Sequence, residues 1–430
     1  MSMARTRDVS GWRSRFPELG VEPLSIEPIV SSDLFEIERE RIFKRVWLKV
    51  GRVEEIPEPG CFKVKRIDVA RTSVILIRGK DNTIRAFHNV CPHRGNRVIP
   101  ETDNETFGKA RADYLTCRFH GWVFDSTGAV RDVPSLEKFP PYFDQCNYSL
   151  KPVSCDVWEG FIFINFDPEP RQGLADYLDG MASHFAGYPY HEGTADYRYT
   201  AVFDCNWKVA LNAFTEAYHV ETIHANTLPW YAKIDHEDLK FFGPHRTSTL
   251  YMRLVAGAKV AEPAPIDGLA LRIMQNSPRQ QFIMDKLPAG INPDKRENFL
   301  FELPTFFPNF MIHVYSGGGG DPGMLYFTHQ FWPLAVDKTL WETTRYWRSA
   351  ANASEYFAIA YANAIHRNAH LEDTATMEDT FAGLQSGVLE HMPLMDDEVM
   401  LRHQDQVWHE YMGLEKSRTS ALANMKPGHD

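Results

Sequence analysis

The run Asn206-Trp207-Lys208-Val209-Ala210-Leu211-Asn212-Ala213-Phe214-Thr215-Glu216-Ala217-Tyr218-His219-Val220-Glu221-Thr222-Ile223-His224 decides how the rest of the chain is read. Two neutral imidazoles and one carboxylate on one side of a metal leave the other side open, which suits ferrous iron that must bind dioxygen beside a substrate. The stretch reads as a helix from Val209 to His224, stopped before Pro229. On a regular helix Asn212, Glu216 and His219 stand at i, i+4 and i+7 and share a face. His224 does not, because five residues at 3.6 per turn carry it about 140° around. Joint metal binding therefore requires a break or wide turn near Val220 to Ile223. For an isolated pair of histidines, an ordinary helix surface would be the simpler reading, and a further carboxylate has to come from later in the chain.

Working outward, 430 residues at 43% hydrophobic content suffice for two domains, each with its own core. A net charge of −11, from 46 basic and 57 acidic residues, offers no basic surface for phosphates or anionic lipid, so neither nucleic acid nor membrane is an expected partner. No apolar run approaches membrane-spanning length, and Met1-Ser2-Met3-Ala4-Arg5 lacks the apolar core of a secretory signal, so a cytoplasmic protein is expected. Six cysteines are too sparse for a disulfide scaffold.

Residues 1–30, with Trp12, Phe16 and scattered prolines, are expected to wrap a surface without a core of their own, and Ser32 to Trp47 reads as an amphipathic helix. Between Lys49 and Asp167 come short β-rich runs, Cys61–Val64, Thr72–Ile77, Ile84–Phe87 and Gly160–Phe166, separated by Pro59-Gly60 and Gly79-Lys80-Asp81-Asn82. Asp167-Pro168-Glu169-Pro170 reads as a linker. Beyond it, a helix near Leu174 to Phe185 and strands near 197–203, 248–254, 309–315, 324–332 and 340–347 precede terminal helices. The pattern is α+β: a small antiparallel β domain, then a larger α+β domain with a mainly antiparallel sheet. The domain expectation is 1–44 as an N-terminal extension and helix packing on the larger domain, 45–168, and 169–430.

Cys91-Pro92-His93-Arg94-Gly95 and Cys117-Arg118-Phe119-His120-Gly121-Trp122 each offer one thiolate and one imidazole. Such a pair suits a Rieske [2Fe–2S] centre, with two cysteines on one iron and two histidines on the other. Ligand type alone equally allows a structural zinc ion. The other cysteines, Cys61, Cys146, Cys155 and Cys205, are expected to be small buried residues.

The flanking residues tip the balance. His93-Arg94-Gly95 and His120-Gly121-Trp122-x-Phe124-Asp125-x-x-Gly128 resemble the two cluster-binding loops of Rieske proteins, with Glu101-Thr102-Asp103-Asn104-Glu105 as an added surface excursion. Asn206-Trp207-Lys208, Asn212, Glu216, Tyr218, His219 and His224 resemble the mononuclear-iron segment of Rieske non-haem iron ring-hydroxylating oxygenase α (large, catalytic) subunits. The resemblance spans nearly the whole chain and is weakest before residue 40. It implies a catalytic domain with a curved antiparallel sheet of the helix-grip, START-like kind. It also implies a [2Fe–2S] cluster on Cys91, His93, Cys117 and His120, and mononuclear Fe(II) on His219 and His224. Leu371-Glu372-Asp373-x4-Glu378 then supplies Asp373 as third ligand, with Glu378 and Asp379 as rivals and Phe381 standing where glutamine is common. Glu216 is implied to link an iron-ligating histidine to a Rieske histidine of a neighbouring subunit, and Asn212 to hydrogen-bond at the iron site. The active unit is then a homotrimer, with or without a small β subunit.

No credible flavin or nicotinamide site is present in the chain, so electrons from NAD(P)H are expected through a partner reductase, directly or by way of a ferredoxin. The implied reaction is hydroxylation, as cis-dihydroxylation or monohydroxylation, of an aromatic compound. The alternative is a monooxygenase or demethylase acting on a quaternary ammonium or other non-aromatic substrate, and a distant one is a zinc-stabilised binding protein without redox activity. Gly318 to Gly323 matches a dinucleotide fingerprint in letters only, since a strand-like run follows and Pro322 interrupts; a hairpin loop is expected there. His313 is expected to be a satisfied structural histidine, and 398–412 a packing helix.

Overall fold

The computed structural model of the chain describes residues 11–224, 232–254, 269, 279–315 and 324–414. It divides into two compact units, Glu38–Ala182 and Met1–Ile37 with Ser183–Asp430. The first is wider at both ends than the 45–168 span expected from composition.

In the first unit a seven-stranded antiparallel sheet runs in the order Leu48–Arg52, Phe161–Asn165, Pro152–Trp158, Ile84–His88, Thr72–Arg78, Cys61–Ile67, Glu105–Lys109. Val74, Ile75, Leu76 and Ile77 are buried in succession, so this central strand is covered on both faces. A second sheet of Tyr114–Thr116, Val123–Asp125 and Val130–Asp132 carries the second cysteine loop. Gly128 closes its last hairpin at φ 83°, and a Cβ there would lie 2.4 Å from the Phe87 ring, so glycine is required twice over. Cys91 and Cys117 belong to the core between the sheets, with Ile75, Phe87, Leu115, Trp122 and Phe124.

Two expectations need correction here. The Glu101–Glu105 excursion is exposed at Thr102 and Asp103, yet Glu105 opens an edge strand and pairs with the buried Lys63 at 2.9 Å and Lys65 at 3.1 Å. Its far end is thus part of the sheet, because two buried ammonium groups need an anion. Among the unassigned cysteines, Cys205 is buried but Cys146 is exposed.

In the second unit the strands β1 (Thr194–Phe203), β2 (Ala232–Phe242), β3 (His245–Leu254), β4 (Phe299–Glu302), β5 (Phe310–Tyr315), β6 (Met324–Ala335) and β7 (Lys338–Trp347) form an antiparallel sheet in the order β1-β7-β6-β5-β4-β3-β2. The two-residue strand Thr305–Phe306 pairs with β3 and β5. Two short helices, α1 (Trp207–Asn212) and α2 (Val220–Ile223), follow β1. The 33-residue α3 (Ala353–Gln385) follows β7, and α4 (Val399–Met412) ends the described chain. The fold class is α+β, as expected.

Asn352 caps α3 by accepting the Glu355 N–H at 3.0 Å. Ile359, Ala362, His370, Asp373, Met377, Phe381 and Leu384 form its buried stripe, at helical spacing. It lies on the sheet through Met324, Phe327 and Trp347, whose indole donates to Asn363 at 3.1 Å. Phe381, the departure from the family's usual residue, fills that stripe. Residues 11–25 wrap this unit: Trp12, Phe16 and Leu19 pack with Leu239, Val399 and Met400, and Leu24–Ser25 pairs with His391–Met392. The glycine run 318–323 lies outside the described residues. Among those residues no helix is long and apolar enough to cross a membrane.

Candidate metal centres

The two cysteine loops close in the same way. The Cys91 carbonyl accepts the Gly95 N–H and the Cys117 carbonyl accepts the Gly121 N–H, each at 2.9 Å, while the Cys91 and Cys117 N–H groups donate to Asn96 and Trp122. Both glycines sit at φ 76°, where an L side chain is strained. Each turn therefore buries a sulfur and brings a histidine, two residues later in the first loop and three in the second, to the surface edge. The His93 and His120 rings lie 4.5 Å apart, edge to face, and Trp122 stacks on His93 at 5.1 Å. Burial pushes the Cys91 thiol up to about 11, so a thiolate there needs a cation beside it.

The buried Nδ1 of His93 has no hydrogen-bond partner, as befits a ligand atom. A tetrahedral zinc ion would hold its donors roughly 3.5 Å apart. Among the described residues, only His219, His224 and Asp373 bring three such donors within 4.8 Å of one another. The loop donors spread wider, which fits two irons better than a single ion.

The continuous helix expected from Val209 to His224 is not present. Asn206 starts α1 by accepting the Lys208 N–H at 2.9 Å and anchors it through its amide to the Val336 carbonyl at 2.8 Å. After Asn212 the chain leaves the helix in tight turns. The Glu216 carboxylate accepts the N–H groups of Tyr218 and His219, so a side chain takes over donors that a helix would have used on its own carbonyls. The break thus falls at 213–219, whereas Val220–Ile223, where a break was expected, is helical. Asn212, Glu216 and His219 do not share a helix face. His219 and His224 stand at the two ends of α2, and their rings are 5.4 Å apart.

Asp373 meets both from α3. Its Oδ1 lies 3.0 Å from His224 Nε2 and 3.4 Å from His219 Nε2, yet it makes no hydrogen bond of proper geometry. Three ligand atoms crowding one point without bonding to each other is the arrangement expected around a cation. Burial lowers the affinity of His219 for a proton, but Asp373 and Glu216 outweigh it and carry its pKa up to about 9; burial likewise opposes a proton on His224, whose pKa Asp373 and Glu372 raise. A divalent metal would replace these protons.

The outer contacts hold the rings in place. Glu216 also takes His219 Nδ1, leaving Nε2 for the centre, and Glu372 faces His224 Nδ1 at 3.0 Å. Glu378 and Asp379 are exposed, and Glu378 accepts the Asp204 N–H instead. Asn212 Oδ1 is buried without a partner.

Glu372 was missed by sequence reasoning, although it stands next to Asp373 in the same motif. His370, one turn before Asp373, contacts Tyr199 Oη at 2.7 Å and Arg345 Nη2 at 3.1 Å. His313 is not the satisfied histidine expected: it is buried, neither ring nitrogen has a partner, and burial drives its pKa down to about 3. Burial likewise keeps His329 and His370 neutral.

A family model described as the ring hydroxylating alpha subunit (catalytic domain) matches residues 190–414, and one for the Rieske [2Fe-2S] domain matches residues 46–144. The chain belongs to the ring-hydroxylating α-subunit family and carries a Rieske domain, with the cluster and mononuclear iron that these domains imply.

Its relatives include a carnitine monooxygenase oxygenase subunit from Acinetobacter baumannii, 32% identical over 51% of this chain and 56% of that one. A glycine betaine monooxygenase oxygenase subunit from Chromohalobacter salexigens is 26% identical over 65% and 63%. A chlorobenzene dioxygenase α subunit from a Cupriavidus species is 33% identical over 44% and 41%. The chain thus spans about half the length of the curated relatives it matches. In fold it is similar to a quaternary ammonium Rieske monooxygenase in complex with γ-butyrobetaine (TM-score 0.68, 20% identity, 91% of this chain and 95% of that one). It is equally similar to naphthalene 1,2-dioxygenase from Rhodococcus (TM-score 0.67, 20% identity, 94% and 96%).

Proposed function

We propose that this protein is the terminal oxygenase component of a multicomponent Rieske oxygenase, and that it hydroxylates a quaternary ammonium compound. The observation that carries the oxygenase reading is the convergence of His219, His224 and Asp373 within 4.8 Å in a chain that also bears the two cysteine–histidine loops. In this reading Cys91, His93, Cys117 and His120 hold the cluster, and the convergent triad holds Fe(II). Bound there, the iron supplies dioxygen activation beside a substrate, and the cluster supplies single electrons taken from NAD(P)H through a partner reductase. Glu216 and Glu372 orient the two imidazoles by accepting at Nδ1, which keeps Nε2 of each ring directed inward. Glu216 also joins the site to a neighbouring subunit's cluster histidine in a homotrimer.

Aromatic hydroxylation, the first expectation from sequence, becomes the second reading. The carnitine and glycine betaine relatives support the quaternary ammonium reading, while the chlorobenzene and naphthalene enzymes keep the aromatic one in view.

The test is oxygen uptake by the iron-loaded protein with a reductase and NADH, comparing γ-butyrobetaine, L-carnitine and glycine betaine with chlorobenzene and naphthalene. Product formation from an ammonium compound supports the reading, and turnover confined to the aromatics replaces it with the second. A colourless protein that binds zinc and lacks a cluster spectrum refutes both.

A further inference from the structure

Beside the ligand triad, in the same unit, lies a set of buried donors that have no acceptors. Arg345 on β7 is fully buried at 0% exposure. Its Nη2 donates to Tyr199 Oη at 3.1 Å and touches His370 Nδ1, but Nε and Nη1 have no partner. No carboxylate of a described residue pairs with it. The guanidinium carbon lies 5.2 Å from the Tyr199 ring centre and 6.0 Å from that of Phe327, so aromatic faces flank the group while part of its N–H edge stays unused.

The neighbouring histidines add more of the same. Trp341 Nε1 donates to His329 Nδ1 at 3.0 Å, which places the hydrogen of that neutral ring on Nε2, and Nε2 is buried without a partner. His313 must also carry one N–H, and both its nitrogens are unpartnered. Ring centres of His313 and His329 lie 5.0 Å apart, and those of His329 and His370 lie 4.9 Å apart. His370 precedes Asp373 by one turn of α3, so the cluster adjoins the proposed metal.

Burying an unpaired guanidinium with orphaned N–H groups is strongly unfavourable unless something supplies the missing acceptors. A neutral hydrocarbon would leave that deficit, and an ammonium head placed there would worsen it. We propose that Arg345, with His329 and His313 as neutral donors, binds an anionic group of the substrate, a carboxylate or sulfonate. The proposal deepens the oxygenase reading and rests on it, because it sets the anion beside the site of oxidation. A zwitterion would enter with its anion at Arg345 and its cationic end elsewhere.

The experiment is equilibrium binding to the iron- and cluster-loaded protein without reductase, so that it reads independently of turnover. The probes are benzoate against benzamide and γ-butyrobetaine against its primary amide. At least one carboxylate should bind about 10- to 100-fold more tightly than its amide, the ratio expected of a charge-assisted pair. Arg345→Met should erase that ratio with the cluster spectrum unchanged, and Arg345→Lys should retain part of it. The wild-type comparison stands even if Arg345→Met fails to fold. Equal binding of acid and amide, no binding of either carboxylate, or a preference that survives in Arg345→Met would each overturn the assignment. A carboxylate preference in a protein that never consumes oxygen would instead leave the anion site standing and sink the oxygenase reading.

Discussion

Both nitrogens of His224 are engaged by adjacent residues of one helix: Nδ1 faces Glu372 Oε2 at 3.0 Å, and Nε2 faces Asp373 Oδ1 at 3.0 Å. Neighbours on a helix point about 100° apart, so the pair clasps the ring from outside and inside at once.

Glu372 is therefore expected to be a positioning residue. Glu372→Gln should weaken iron binding about 10- to 100-fold, since loss of an outer carboxylate typically costs that much. Iron content after dialysis against graded chelator would measure it. Unchanged retention would mean that the contact does not hold the ring.

Removing a proposed ligand should act differently. His219→Ala or Asp373→Ala is expected to abolish turnover while the visible and EPR signals of the cluster remain. Loss of colour in either variant would contradict the assignment of two separate centres.

Glu216→Gln keeps an acceptor for the N–H groups of Tyr218 and His219 but removes the charge beside His219. Single-turnover reoxidation of the cluster should slow by about 10- to 100-fold with both metals in place. Wild-type rates in this variant would rule out a bridging role.

A fourth expectation concerns the buried charges of the Rieske unit. Burial alone would raise the Glu55 carboxyl, but Lys63, at 2.8 Å, and Lys49 hold it below the ordinary value. A carboxyl whose pKa is lower folded than unfolded stabilises the fold above its unfolded pKa and loses that contribution as pH falls through the folded one. Glu55→Gln should thus cost about 1–3 kcal/mol at neutral pH. The difference from wild type should shrink as pH drops below about 4.3, the unfolded glutamate value. Denaturant titrations across pH check this, and a gap that widens toward acid would refute it.

Much of the architecture was legible because its signals are local. The cysteine loops are contiguous motifs, and the β-rich runs alternate or are continuously apolar. Asp373 could be selected over Glu378 and Asp379 only through resemblance, since three acids on one helix look alike until it is known which face is covered. The break at 213–219 was misplaced because Glu216 makes it by capping two N–H groups, and hydrophobic periodicity does not register such competition. β2 escaped notice because Lys233, Asp235, Glu237, Asp238 and Lys240 give it the appearance of a loop. Arg345 and His329 were invisible for the opposite reason: on an alternating strand polar residues read as solvent-facing, whereas here His370 of α3 lies against both and Phe214 stacks on His329.

The register of α3 has a consequence for how such a protein can diversify. His370, Glu372 and Asp373 occupy three nearby positions of one helix, so a slip of a single residue would displace all three together. The register thereby ties those three positions to one another, whereas a substitution on β5, β6 or β7 changes one side chain at a time. New substrate preferences are expected to arise on those strands, with the helix inherited as a fixed rail.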